Sequence, residues 1–149
     1  MRKLKDTKDT TGEHVEIWFN ASIGGTPPVA LFLETYIESI KAGLAYPGFL
    51  FNNSDRVIWA QRSDGKVLGG ISYEYQENKK SGWTVWSFTA PEERGKGIYQ
   101  LVHDEFEEDC RKLGATCIES MTHKDNKNRL AAAAKVGMYP KYIRLYKDL

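Results

Sequence analysis

The feature that constrains this chain most is a change of hydrophobic period at Pro91. Upstream, residues 66–75 and 83–89 read as strands, and Pro91 cannot continue a ladder. Downstream, Ile98, Leu101, Val102, Phe106, Cys110 and Leu113 fall on one stripe at helical spacing. Arg111 and Lys112 lie in the last turn of that helix, where cations suit the dipole, and Gly114 supplies its C-terminal cap. Residues 115–121 then read as a further strand. A strand, a crossover helix and another strand in one sheet make a parallel pair with a right-handed connection.

The other elements fit that frame. In 14–19, Val15, Ile17 and Phe19 alternate with His14, Glu16 and Trp18, which predicts a first strand. Thr26 is placed to cap a helix whose first turn holds Pro27. Val29, Phe32, Leu33, Tyr36, Ile37, Ile40 and Leu44 predict that helix over 27–44, and Gly43 and Pro47-Gly48 stop it. A short strand at 57–61 leads into a hairpin turn at Ser63-Asp64-Gly65. Residues 126–136 form an Ala-rich helix ended by Gly137, and 142–147 alternate as a closing strand. Residues 1–12 are charged, Thr-rich and without period, and read as a flexible lead-in. The order β-α-βββ-α-β-α-β predicts an α/β mixed sheet, mostly antiparallel, with helices on both faces.

Composition narrows the function. The 149 residues suit one domain over 1–149. Lys and Arg total 21 against 20 Asp and Glu, so there is no basic excess for tracking phosphates along a nucleic acid. No apolar run approaches a membrane span, and the basic start, Met1 to Lys5, is followed by polar residues rather than a secretory core. Cys110 and Cys117 are too few for a disulfide scaffold and are expected as core thiols. These readings predict a soluble, cytoplasmic protein with no nucleic-acid or membrane partner.

The chemistry concentrates between the strand end and the helix start, in Thr89-Ala90-Pro91-Glu92-Glu93-Arg94-Gly95-Lys96-Gly97-Ile98-Tyr99. A helix N-terminus offers unpaired N–H groups and partial positive charge, which suit a phosphate. Gly95 and Gly97 allow close backbone approach, and Arg94 and Lys96 add charge. A basic surface turn with two glycines would look the same. Two nucleotide motifs fail on spacing: neither Gly-Lys pair, at 65–66 or 95–96, precedes Ser or Thr, and Gln100 stands where a dinucleotide fingerprint needs glycine.

This segment resembles the coenzyme motif of the GNAT superfamily, the acyl-CoA-dependent N-acyltransferases. That motif reads Q/R-x-x-G-x-G/A after V-x-P-x-x; here Arg94-Gly95-Lys96-Gly97-Ile98-Tyr99 follows Thr89-Ala90-Pro91-Glu92-Glu93. The family pattern N-x-x-A-x-x-x-Y-x-x-x-G-F finds Asn126, Arg129, Ala133, Gly137 and Met138 at its places. The element order is similar from about His14 to the end of the chain. Two positions depart from the family: Tyr99 replaces a small residue, and Ala133 replaces the tyrosine that protonates the departing thiolate.

The resemblance implies a splayed parallel strand pair with acetyl-CoA in the gap as acyl donor. Phe88, Thr89 and Ala90 would pair with pantetheine, and the amides of Gly95, Lys96, Gly97, Ile98 and Tyr99 would hold the pyrophosphate. The Phe88 N–H would polarise the thioester carbonyl, and Ala133 would face its sulfur. Asn126 would bond pantetheine or cap its helix. An amine acceptor, from a small molecule to a protein, would attack directly. The general base is open. Glu74 and Glu119 are candidates, each also readable as a solvated strand glutamate, and His123 is placed to relay protons. Tyr139 and Tyr142 are the nearest hydroxyls to replace the missing acid. His14 and His103 have no sequence partners at metal-ligand spacing, so no metal is expected. Aromatic residues near the first helix and in 47–53 would line the acceptor side. The competing reading is an acetyl-CoA-binding regulatory module with little turnover. An exposed edge strand would permit a homodimer.

Overall fold

The computed structural model describes residues 1–45 and 55–149. Among those residues the sheet has six strands in sequence order: β1 (Arg2–Lys8), β2 (His14–Asn20), β3 (Arg56–Gln61), β4 (Val67–Gln76), β5 (Ser81–Thr89) and β6 (Cys117–Glu119). Neighbours are antiparallel except β5 and β6, which are parallel as the crossover requires. The described residues also form three α-helices: α1 (Val29–Lys41), α2 (Ile98–Leu113) and α3 (Lys127–Lys135). The mixed sheet and its mostly antiparallel order match the sequence expectation.

Alternation along β3 explains the two layers. Ile58 and Ala60 pack with Val15, Ile17, Leu68 and Ile71 under the α2 residues Ile98, Val102, Phe106 and Cys110. Val57 and Trp59 face the other way and pack with Ile23, Phe32 and Phe88 beside α1. Both faces of the strand are covered, so it reads as an apolar run rather than as alternation. Gly82 permits α2 to sit close, because a Cβ there would run into the Cys110 sulfur. That burial pushes the Cys110 thiol up to about 12, consistent with a core thiol.

Several expectations need correction. Residues expected as a flexible lead-in form β1, paired to β2 from Arg2↔Phe19 to Lys8↔His14. No β1 residue is fully buried; only Leu4 packs partly against the core, and the strand is held chiefly by backbone pairing and by ion pairs such as Lys3–Glu16. The α1 helix begins at Val29 without a side-chain cap, and the Thr26 hydroxyl instead donates to the Ile23 carbonyl at 2.6 Å. β6 is only three residues long, and Cys117 on it is exposed rather than in the core. The closing strand expected at 142–147 does not form; Tyr142, Ile143, Leu145 and Tyr146 are exposed. Its alternation has no paired neighbour to act on.

Candidate functional site

The short β6 opens a fork. It pairs with β5 only at Ser81↔Cys117, Gly82↔Ile118 and Trp83↔Glu119, while β5 runs on to Thr89. From 84 to 89 the outer edge of β5 therefore has no strand beside it among the described residues. At about 3.3 Å per residue this edge is roughly 17 Å long. It ends at the loop leading into α2.

Backbone direction decides which groups the edge presents. The Ala90 N–H donates to the Leu68 carbonyl at 2.8 Å, so it faces β4. The Phe88 carbonyl lies 2.7 Å from where a Gly69 Cβ would stand, so it too faces β4. Each antiparallel residue aims its N–H and C=O to one side, and sides alternate. Ser87 and Thr89 therefore present their amides to the fork. The Phe88 N–H expected to polarise a carbonyl is turned away; its ring packs edge-on against Phe32 at 4.8 Å.

Past Thr89, a single 3-10 turn (Pro91–Glu93) leads into the glycine loop. Gly95 and Gly97 both have positive φ, 80° and 78°, and Gly97 is the N-cap of α2 with no side-chain capping bond. No acidic residue lies in the first turn, so the amides of Ile98 and Tyr99 stand without an anionic neighbour on their own helix. The Ile98 side chain is buried in the core, so that residue offers the loop only backbone.

The turn between β1 and β2 clasps this loop. The Thr10 N–H donates to the Lys96 carbonyl at 3.0 Å. Asp9 accepts from the Thr11 and Glu13 amides at 2.8 and 3.1 Å and from Arg62 at 2.9 Å. The Thr11 hydroxyl bond, with Arg62 and these amides, holds the Asp9 carboxyl far below its usual range. Buried Glu93 accepts from Lys96 at 2.9 Å, Arg62 at 3.1 Å and Lys66 at 3.4 Å. Lys96, Lys66 and Arg62 hold the Glu93 carboxyl below its ordinary value. Asp9, Arg62 and Glu93 carry no motif that marks them in the sequence, and Lys96 is expected from the motif to add charge to the loop. The structure gives that charge to Glu93, while Arg94 is exposed and makes no side-chain ion pair among the described residues.

Across the fork, Asn126 caps α3 by accepting from the Arg129 amide at 3.2 Å. Arg129 donates to the Tyr99 hydroxyl at 2.7 Å and to Ser120 Oγ at 3.2 Å. The Tyr99 ring thus turns toward α3.

The acetyltransferase (GNAT) family profile matches residues 27–138 of this sequence, which contain the fork, the loop and both facing helices. The chain belongs to the GNAT acetyltransferase family. No curated protein matches its sequence. Among solved structures, a ribosomal-protein-alanine N-acetyltransferase from Brucella melitensis biovar Abortus 2308 is similar, with 14% identity and TM-score 0.67 over 91% of this chain and 99% of that one. An aminoglycoside acetyltransferase from an uncultured soil metagenomic sample is similar with 14% identity and TM-score 0.64 over 91% and 96%. A transcriptional regulator from Bacillus halodurans C-125 has 14% identity and TM-score 0.62 over 91% and 100%. At these identities the likeness is one of GNAT fold.

Within this GNAT fold the five candidate acid–base groups are scattered. Glu119 is half-buried at the closed end of the fork, opposite Trp83, and accepts from Ser81 Oγ at 2.5 Å. Glu74 is exposed and bonded to Gln76 at 2.8 Å. His123 is exposed and accepts from the Asp125 amide at 3.1 Å. Tyr139 and Tyr142 are 73% and 80% exposed. Ala133 is half-buried on α3. The acceptor-side residues expected in 47–53 lie outside the described residues, but the α1 side of the sheet carries aromatics: Trp86 donates to Thr35 Oγ1 at 3.0 Å and meets Tyr36 at 5.2 Å.

His103 corrects one further expectation. Its ring and the carboxylates of Asp104 and Glu107 bring ligand-type atoms within 4.8 Å of one another, so partners at ligand spacing do exist. The imidazole is 1% exposed, and burial, with the nearby Arg129 charge, pushes it down to about 4. The positive neighbour that disfavours imidazolium also disfavours a cation there. No helix of the described residues is long and apolar enough to cross a membrane.

Proposed function

We propose that this protein is an N-acetyltransferase that moves an acetyl group from acetyl-CoA directly to a primary amine. The observation that carries the reading is the fork itself. An unpaired β5 edge leads from the Glu119 end to the uncapped N-terminus of α2, a continuous track from an acyl site to a phosphate site. Pantetheine would extend the sheet by pairing with the amides of Ser87 and Thr89, a ligand version of β-augmentation. The pyrophosphate would meet the amides of Gly95, Lys96, Gly97, Ile98 and Tyr99.

At the closed end an amide on the β5 edge would stabilise the developing oxyanion. The amine must lose a proton to attack, since a lysine-type amine has a pKa of about 10.4. Of the five candidates, Glu119 stands where the strands part, and we assign it the general base, acting directly or through one water. The departing thiolate tolerates the absence of an acid at Ala133, because a thiol pKa near 8.5 leaves it only modestly basic.

A coenzyme-binding module with little turnover is favoured by one observation: among the described residues, Glu74, His123 and Tyr139 are exposed and bonded locally or not at all, so none of these three joins Glu119. Calorimetry with acetyl-CoA followed by amine-dependent thiol release separates the readings. Binding with release supports the enzyme, binding without release supports the module, and no binding contradicts both. The acceptor is an amine small molecule, peptide or protein, and the site is cytoplasmic chemistry performed without a metal in this proposal.

A further inference from the structure

The fork contains an arginine that the coenzyme motif does not require. Three of the cations near the loop are committed: Lys96 to Glu93 at 2.9 Å, Lys66 to Glu93 and Glu92 at 3.4 and 3.6 Å, and Arg62 to Asp9, Glu13 and Glu93 at 2.9–3.1 Å; Arg94 is unpaired among the described residues but exposed to solvent. Arg129 differs. Its partners are the Tyr99 hydroxyl, the Ser120 hydroxyl and the Tyr99 ring face at 5.2 Å, all neutral. It forms no ion pair with a carboxylate among the described residues, and it is half-buried, where a charge is screened less than at the surface.

Tyr99 holds that charge beside the first turn of α2, whose amides are uncapped. One turn along the same helix face, the His103 ring lies 5.4 Å from Tyr99, is 1% exposed, and has no hydrogen bond at either nitrogen among the described residues. The positive field of Arg129 contributes to keeping that imidazole neutral. Tyr99, one of the two positions at which this chain departs from the family pattern, is the residue that Arg129 touches. A guanidinium held by neutral groups at a helix N-terminus is matched to an anion, and its planar fork can take two phosphate oxygens at once.

We propose that Arg129 is a coenzyme phosphate ligand, supplying across the fork the charge that Glu93 withholds in Lys96. This rests on the acetyl-CoA reading above. Tyr99 and Ser120 orient the guanidinium in the free chain, so little side-chain freedom remains to be lost on binding.

The test is calorimetry on the full chain with acetyl-CoA and with S-acetylpantetheine, which lacks the phosphates. Arg129→Ala should weaken acetyl-CoA by roughly tenfold or more, the loss expected of one charge-assisted contact. It should leave acetylpantetheine unchanged and make the salt dependence of acetyl-CoA binding shallower. Arg129→Lys should recover part of the affinity. Lys135→Ala, which removes an exposed charge from the far end of α3, should change nothing. Circular dichroism confirms that each variant is folded. Unchanged acetyl-CoA affinity in Arg129→Ala, an equal loss for both ligands, or an unaltered salt slope overturns the assignment. Failure of the wild-type chain to bind acetyl-CoA at all overturns the coenzyme reading itself, and Arg129's role with it.

Discussion

Gly97→Ala tests how the loop is held. Two costs can be worked from the structure. Gly97 has φ 78°, and an L-residue in that region costs about 1–2 kcal/mol. Its Cβ would also stand 3.0 Å from Thr10 Cγ2, so the clasping turn must yield. Overpacking of this kind costs about 1–3 kcal/mol. Gly95→Ala is the internal control: φ is 80° but nothing lies within 4 Å of the new Cβ, so it carries the conformational cost alone. Thr10→Ala removes the offending methyl. Thermal denaturation should therefore rank Gly97→Ala below Gly95→Ala. Thr10→Ala should restore about 1 kcal/mol or more in the Gly97→Ala background, read as about 2–4 °C per kcal/mol for a chain of this size. Calorimetry should show acetyl-CoA affinity falling with Gly97→Ala and partly returning in the double variant. Equal costs at the two glycines, or no rescue by Thr10→Ala, would refute the view that the β1–β2 turn sets the loop.

Other consequences follow from the same contacts. Glu93→Gln should lower stability near neutral pH, because Arg62, Lys66 and Lys96 lose a shared buried carboxylate; chemical denaturation checks this. The folded Asp9 and Glu93 carboxyls are depressed below their unfolded values, so their stabilisation is present above about pH 4 and is lost as the pH falls through the folded values; Glu93→Gln should shrink that acid loss. His103 is pushed down to about 4, so below an unfolded value near 6.5 the unfolded chain binds the extra proton and stability falls between pH 6.5 and 4. His103→Phe should flatten that window in pH-dependent melts. Gly82→Ala should destabilise strongly, since its Cβ meets the Cys110 sulfur, and Cys110→Ala should relieve part of the loss.

The sequence made the meander, both long helices and the crossover legible, because each carries a strong period and a stop signal. Gly114 caps α2 in the left-handed conformation, as its position after Leu113 implied. β1 was not legible: in Arg2–Lys8 only Leu4 packs against the core, too little to imprint a pattern, and backbone pairing with β2 holds the strand. The 142–147 segment failed in the opposite way, with alternation but no neighbour to pair with. In the site, the glycine positions and helix start were readable, but the charges were not. Glu93 lies three residues before Lys96, a spacing that could have suggested a pair, yet Arg62 and Asp9 join it only through the sheet. The Phe88 amide was misassigned because alternation fixes direction only once the β4 register is known, and here Ala90 donates to Leu68.

The central claim, that the β5–β6 fork carries acetyl transfer, is tested most directly by amine-dependent release of CoA thiol from acetyl-CoA. The wild-type chain should be compared with Glu119→Gln across a panel of small amines, peptides and proteins. The account predicts release that requires an amine, with Glu119→Gln losing turnover most at low pH while retaining acetyl-CoA affinity. No amine in the panel raising release above the rate without amine, despite measured acetyl-CoA binding, would contradict it.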